Sequence, residues 1–280
     1  MAKAVVFGYH DVGVRCLGAL LAARVDVPLV VTHRDDPQER IWFASVASLA
    51  RSKGIDTLLD PDIGALLPRL RTIAPDFIFS FYYRRMLPPE VLASAKRGAY
   101  NMHGSLLPKY RGRAPVNWAV LNGETETGAT LHEMVAKPDA GRIVDQQAVP
   151  IGPDDLAVDV FRGVTDAAET VMSRSIGPLL AGKAKLRPND LAKGSYYGGR
   201  RPEDGRIDWT KSARAIHNLV RAVAPPYPGA FCERLKIHRT QITDRSAPGR
   251  SVGPFQDANE WFALCGDGKV LRLLEVEERK

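Results

Sequence analysis

The N-terminal part of the chain alternates short runs of β-branched and apolar residues with stretches of helical spacing, and that alternation leaves few folds open. Strands are expected near Ala4–Phe7, Val27–Thr32, Asp56–Leu59, Asp76–Phe81 and Ala99–His103. Helices are expected between them, near Val12–Arg24, Pro37–Ser52, Pro61–Thr72 and Pro88–Ala95, each with apolar residues at helical spacing. Repeated βαβ units of this kind build an open, mostly parallel sheet in the α/β class, which binds ligands outside the carboxyl ends of its strands. The loops after Phe81 and His103 are therefore the first places to look for a site.

The pattern changes further along. A long helix is expected from about Asp155 to Leu180, followed by a segment rich in Gly, Pro, Lys and Arg with little periodicity. One amphipathic helix, SARAIHNLVRAV, then precedes short alternating strands separated by Gly and Pro. The expected organisation is a larger domain over 1–182, a linker over 183–206 and a small β-rich domain over 207–280, with no internal repeat. Apolar runs such as Val27–Val31 are strand-sized, far short of the ~20 residues a membrane helix needs. The start, MAKAVVFGYH, lacks the features of a secretory signal and reads as a first strand, so the cytoplasm is the expected location. Cys16, Cys232 and Cys265 are far apart and no His cluster accompanies them, so neither a disulfide framework nor a metal site is expected. The formal charge of +7 favours anionic partners without choosing among them.

The densest chemical signal is YNMHGSLLPKYRGRAP, Tyr100–Pro115, which begins in an expected strand and runs into a loop. Asn101 and His103 are two apart, and residues i and i+2 of a strand share a face. An amide and an imidazole thus converge at the strand's carboxyl end. In acyl transfer, an amide N–H stabilises charge growing on the carbonyl oxygen, and an imidazole moves a proton near neutral pH when a carboxylate orients it. Asp139, in the short polar loop AKPDAG between expected strands Gly128–Val135 and Arg142–Pro150, is the leading carboxylate. Taken singly these residues have ordinary readings: a hydrogen-bonded Asn-His pair on a strand, and an Asp that serves a turn. His132 faces either way in its strand, and His217 reads as a packing or capping residue. Tyr9, His10 and Asp11 follow the first strand, where a ligand contact and a turn are both open. Trp118 and Trp209 are expected in the core. No GxGxxG fingerprint or P-loop is present.

Read as a block, NMHGSLLPKYRGRAPVNWAVLNGETETGATLHEMVAKPDAGRIV resembles the signature region of the folate-dependent formyltransferases. The resemblance extends to FSFYYRRML before it and GRRPEDGRIDWTKSARAIHNLVRAVAPPYPGAF after it, while about the last fifty residues match poorly. It implies a Rossmann-like sheet with a smaller OB-like barrel domain, and a catalytic Asn, His and Asp at Asn101, His103 and Asp139, the carboxylate orienting the imidazole and raising its pKa. It also implies that 10-formyltetrahydrofolate, used without a metal, lies against Arg85, Met86, Leu87 and Arg113 and along Val135, Ala136, Lys137 and Pro138. Within the family, VVFGYHDVG and HGSLLPKYRGRAPVNW are most similar to the formyltransferase half of the bifunctional enzyme acting on UDP-4-amino-4-deoxy-L-arabinose in lipid A decoration. A nucleotide-sugar partner follows from that likeness, with homo-oligomerisation open.

Two other functions compete. A methionyl-tRNA formyltransferase would suit the basic charge, but the loop THRDDPQERIWF is compact and of mixed sign, poorly equipped for phosphates, so nucleic acid is not the expected partner. An idle folate- or nucleotide-binding module on the same fold has no need of all three reactive positions.

Overall fold

The computed structural model describes residues 1–279, which form two compact units. The first comprises residues 1–112, 128–149 and 163–196; the second comprises 113–127, 150–162 and 197 onward.

In chain order the elements are β1 (Lys3–Gly8), α1 (His10–Ala22), β2 (Asp26–Thr32), α2 (Val46–Ser52), β3 (Asp56–Leu59), α3 (Ile63–Ile73), β4 (Phe77–Phe81), α4 (Pro89–Leu92), β5 (Gly98–His103), β6 (Arg111–Gly112), α5 (Pro115–Leu121), β7 (Glu126–Glu133), β8 (Ile143–Pro150) and α6 (Ala157–Leu180). There follow β9 (Tyr196–Tyr197), α7 (Ala213–Val223), β10 (Ala230–Phe231), β11 (Leu235–Thr243), β12 (Gly253–Asp257), β13 (Glu260–Leu264) and β14 (Val270–Glu278).

The first unit is built on a seven-stranded sheet of order β3-β2-β1-β4-β5-β7-β8. β1 pairs in parallel with both β2 and β4, β4 in parallel with β5, and β5 antiparallel with β7. Ala4–Gly8 and Phe77–Phe81 are buried at every position, as expected of parallel strands covered on both faces. Val5, Phe7, Leu29, Ile78, Leu66 and Leu70 form one side of this core. The chain leaves β1 on one flank and β4 on the other, so the order reverses between those two paired strands, the kind of point at which a crevice forms outside the carboxyl ends.

The helix expected over Pro37–Ser52 is a correction: only Val46–Ser52 is helical. Ser45 caps it, its hydroxyl accepting the Ser48 N–H at 3.2 Å. The apolar residues before it serve other contacts, with Phe43 stacked on the His10 ring at 3.9 Å and Trp42 edge-on to the same ring at 4.6 Å. The helix expected over Pro88–Ala95 shortens to a single turn, Pro89–Leu92.

In the second unit the sheet is antiparallel, of order β10-β11-β14-β13-β12, with β10 and β12 as its terminal strands. Helix α7 buries Ile216 and Val220 and is capped by Ser212, which accepts the Ala215 N–H at 3.2 Å. Trp118 and Trp209, expected in the core, are only half-buried. Trp118 stacks on Tyr197 at 4.8 Å and carries the Arg200 guanidinium over its ring at 4.7 Å.

Much of the aperiodic segment after α6 is held by hydrogen bonds rather than by an apolar face. Ile143 and Arg187 exchange both backbone hydrogen bonds at 2.8 Å, and Asn189 Nδ2 donates to the carbonyls of Asp139 and Gly141 at 3.0 and 3.1 Å. Ser195 accepts the Tyr110 N–H on its hydroxyl at 2.9 Å and the Arg111 N–H on its carbonyl at 3.0 Å. No described helix is long and apolar enough to cross a membrane.

Candidate active site

The site lies where β5 ends beside β7. Alternation along β5 puts Asn101 and His103 on one face, and the antiparallel register sets His132 opposite Asn101 and Thr130 opposite His103. The structure brings Asn101, His103 and Asp139 together. It adds His132, whose role the sequence left undecided.

His132 is 2% exposed. Its Nδ1–H donates to the carbonyl of Glu133 at 2.8 Å, which leaves Nε2 as an acceptor for the Asn101 amide Nδ2–H at 3.1 Å. One amide hydrogen of Asn101 is thus committed, and the orientation of the side chain is fixed. His103 is 6% exposed, with Nε2–H donating to the Tyr110 carbonyl at 2.8 Å. Its other nitrogen, Nδ1, lies 3.6 Å from Asp139 Oδ1, an ion-pair distance. The same carboxylate oxygen is 3.4 Å from His132 Nε2.

Asp139 stands in the left-handed region, at φ 48, which turns its side chain back toward β5. Its Oδ2 accepts the backbone N–H of Gly112 at 2.8 Å. Burial works against the charge, but the positive charge that His103 can carry and the Gly112 N–H outweigh it and hold the carboxyl well below the usual carboxylate range. The loop that carries it is shaped by Gly141, where a Cβ would meet the Glu133 carbonyl oxygen at 2.0 Å. The turn after His103 is fixed by Thr130, whose hydroxyl donates to the Ser105 carbonyl at 2.6 Å and accepts the Leu107 N–H at 3.2 Å.

The other residues singled out in the sequence lie outside this hydrogen-bonded set. Arg85, Met86 and Leu87 follow β4, the parallel neighbour of β5. Their loop is anchored by His33, whose Nδ1–H donates to Asp60 at 2.7 Å and whose Nε2 accepts the Arg84 N–H at 3.0 Å; Arg85 also reaches Asp60, at 3.1 Å. Leu87 is buried, whereas Met86 is 63% exposed. Val135, Ala136, Lys137 and Pro138 lead from β7 to Asp139, and Val135 is 42% exposed. Met134, just before them, packs on the same core cluster as Leu87, so the two loops start from common ground. Arg113 belongs to the second unit, where it is exposed and its N–H donates to the Tyr197 carbonyl at 3.0 Å. Tyr9 precedes α1 and His10 and Asp11 open it; the His10 imidazole accepts the Asp11 N–H at 2.9 Å, a local closure of that turn. No group of described residues is arranged to hold a metal ion.

An open α/β sheet with an amide, two imidazoles and a carboxylate gathered at one strand end is a framework for acid–base chemistry on a carbonyl. Residues 4–176 match the formyl transferase family model, and residues 200–280 match that of the formyl transferase C-terminal domain; the chain belongs to the formyl transferase family. Among solved structures, the fold is similar to that of the N-formyltransferase of Helicobacter canadensis in complex with folinic acid and dTDP-3-aminofucose, with a TM-score of 0.79, 21% identity and 100% of each chain covered. It is also similar to WlaRD, a sugar 3N-formyl transferase in the presence of dTDP and 5-N-formyl-THF, with a TM-score of 0.78 and 20% identity over 99% of this chain and 98% of that one. HypX from Aquifex aeolicus, in complex with tetrahydrofolic acid, matches with a TM-score of 0.65 and 18% identity over 99% of this chain and 44% of its own.

Proposed function

We propose that the protein transfers a formyl group from 10-formyltetrahydrofolate to the amine of a nucleotide-linked amino sugar, with UDP-4-amino-4-deoxy-L-arabinose the foremost candidate. The observation that carries this reading is the convergence of Asn101, His103 and Asp139 within hydrogen-bond and ion-pair reach of one another or of His132, which bridges them. Met86 and Val135, apolar side chains left exposed on the loops after β4 and β7, support this reading because they offer apolar contact to a folate heterocycle. Arg85 and Lys137 supply positive charge for the folate carboxylates, and the family resemblance assigns Arg113 the same partner.

In the proposed reaction the neutral sugar amine attacks the formyl carbon. The Asn101 amide, held by His132, stabilises the charge that grows on the formyl oxygen, and His103 adds to this once its ring is protonated. His103 takes the proton released by the amine and delivers it to the departing folate nitrogen. Asp139 stabilises the positive charge the ring carries while it holds that proton, and orients the ring for both transfers.

The sugar reading draws on the phrases HGSLLPKYRGRAPVNW and VVFGYHDVG and on two similarly folded enzymes, one in complex with dTDP-3-aminofucose and the other, a sugar 3N-formyl transferase, with dTDP. The loop after β2 also favours it over tRNA. Glu39 there accepts hydrogen bonds from both terminal nitrogens of Arg84, at 2.9 and 2.8 Å, and Asp35 accepts the Tyr9 hydroxyl at 2.9 Å, so the loop turns carboxylates toward residues that follow β4 and β1, a poor arrangement for phosphates. The test is incubation with 10-formyltetrahydrofolate and a panel of UDP- and dTDP-amino sugars alongside charged initiator tRNA, read by mass spectrometry. Formylation of UDP-4-amino-4-deoxy-L-arabinose above the other sugars is expected. Formylated tRNA with unchanged sugars overturns the proposal.

A further inference from the structure

The second unit contains a cavity of about 230 Å³ that none of the catalytic set lines. It lies against α7, β11 and the loop before α6, and its polar walls come from Arg221, His217, Arg239, Thr240, Gln241 and Asp154. Arg239 and Asp154 are exposed, so the cavity reaches solvent.

Arg221 is the unusual wall residue. It is 4% exposed, and every acceptor it meets is neutral. Nε and Nη2 donate to Asn218 Oδ1 at 3.1 and 3.0 Å, and Nη1 donates to the carbonyls of Gly152 and Asp155 at 3.1 and 3.2 Å. Those bonds use four of the five guanidinium N–H groups, and one on Nη2 stays uncommitted. The carboxylates of Asp154 and Asp155 act on it only from beyond ion-pair distance, while burial and the nearby Arg214 oppose its charge. A guanidinium does not shed its proton in a protein, so this is a buried charge without a counterion, an arrangement that costs free energy unless something supplies one.

The remaining wall groups complete an anion's surroundings. His217 Nε2–H donates to the Pro153 carbonyl at 3.1 Å, and its Nδ1 is paired with the Thr240 hydroxyl at 2.9 Å. Asp154, the carboxylate of this wall, sits 3.3 Å from His217 Nε2. Arg239 meets Glu275 only at 3.8 Å, a loose contact from which it can turn. Two guanidiniums thus face one carboxylate. The volume is below the ~300–1,000 Å³ of pockets that enclose drug-sized ligands, which suits a compact oxyanion rather than a whole nucleotide.

We propose that this cavity binds a phosphate-type oxyanion, orthophosphate or a diphosphate, between Arg221 and Arg239, with no residue of the formyl-transfer set in its wall. Arginine is suited to it because its planar fork meets phosphate oxygens in pairs. The test is isothermal titration of the full chain with orthophosphate and with pyrophosphate, using wild type, Arg239→Gln, Lys269→Gln and His103→Ala. Saturable binding is expected for at least one of the two anions, weakened about tenfold or more by Arg239→Gln. Lys269→Gln, an exposed cation outside the cavity wall, and His103→Ala should leave it unchanged. Because Arg239 is exposed, its substitution tests the site without disturbing the buried Arg221. Absence of saturable binding, an affinity that Arg239→Gln does not change, or loss of binding in His103→Ala overturns the proposal and leaves Arg221 as a clamp between α7 and the loop.

Discussion

Replacing Asp139 by Asn isolates the contribution of one negative charge to catalysis. The carboxylate lies 3.6 Å from His103 Nδ1, and at an effective dielectric of about 20 a full charge at that separation is worth about 4–5 kcal/mol to a protonated ring. That figure is an upper bound, because relaxation around the site screens the charge; the carboxamide oxygen can take the place of Oδ2 and accept the Gly112 N–H, which keeps the loop in place with the NH2 toward the ring. With about 1.4 kcal/mol per decade of rate, a loss of about 10²–10³ in kcat is expected for Asp139→Asn, the chemical step bearing nearly all of it. Single-turnover formyl transfer from 10-formyltetrahydrofolate to the accepted amino sugar measures the step directly, with circular dichroism to establish that the variant is folded. A folded Asp139→Asn protein within about fivefold of wild type would refute the reasoning, since the residual charge interaction would then be below about 1 kcal/mol.

The same geometry has consequences elsewhere. His132→Ala removes the acceptor that fixes the Asn101 amide, so kcat should fall by about tenfold to 10²-fold, with His132→Gln recovering part of it; equal rates for wild type and alanine variant would show that Asn101 needs no such support. Gly141→Ala drives a methyl group into the Glu133 carbonyl and should cost about 1–3 kcal/mol, lowering Tm by several degrees in a thermal melt, whereas an unchanged Tm would mean that the loop yields freely. Burial, assisted by Arg84, pushes the His10 imidazole down to about 3, and its Nδ1 already accepts the Asp11 N–H. Its folded pKa therefore lies below the unfolded value of about 6.5, so its contribution is complete above that pH and is lost progressively toward pH 3, by at most about 1.4 kcal/mol per unit. Urea melts at about pH 7 and about pH 4.5 should show a smaller acid loss for His10→Asn than for wild type, and parallel losses would contradict the assignment.

The parts of this molecule that a sequence discloses are those in which neighbours along the chain decide the outcome. Ala4–Phe7 and Asp76–Phe81 read as strands because burial on both faces demands near-continuous apolar runs. Asn101 and His103 read as a pair because a strand's own period puts them on one face. The error at Pro37–Ser52 has the same origin: Trp42 and Phe43 fit a helical stripe, but their burial is satisfied by the His10 ring, far away in the chain, and a periodicity count does not distinguish the two.

What stayed hidden depends on register. His132 meets Asn101 only because β7 pairs with β5 in one antiparallel alignment, and a shift of one residue would have turned it to the opposite face. The carboxylate shows a stronger form of this dependence. Asp139 was found from the short loop and the family motif, yet its position is maintained by the Gly112 N–H and by Asn189, which holds its carbonyl and that of Gly141. Asn189 lies in the aperiodic segment that reads as a linker, because hydrogen bonds leave no apolar pattern to detect. A segment can therefore look unstructured in sequence while it helps to place a buried carboxylate, and the Gly, Pro, Lys and Arg composition after α6 measures only the absence of a buried apolar face, not of fixed structure.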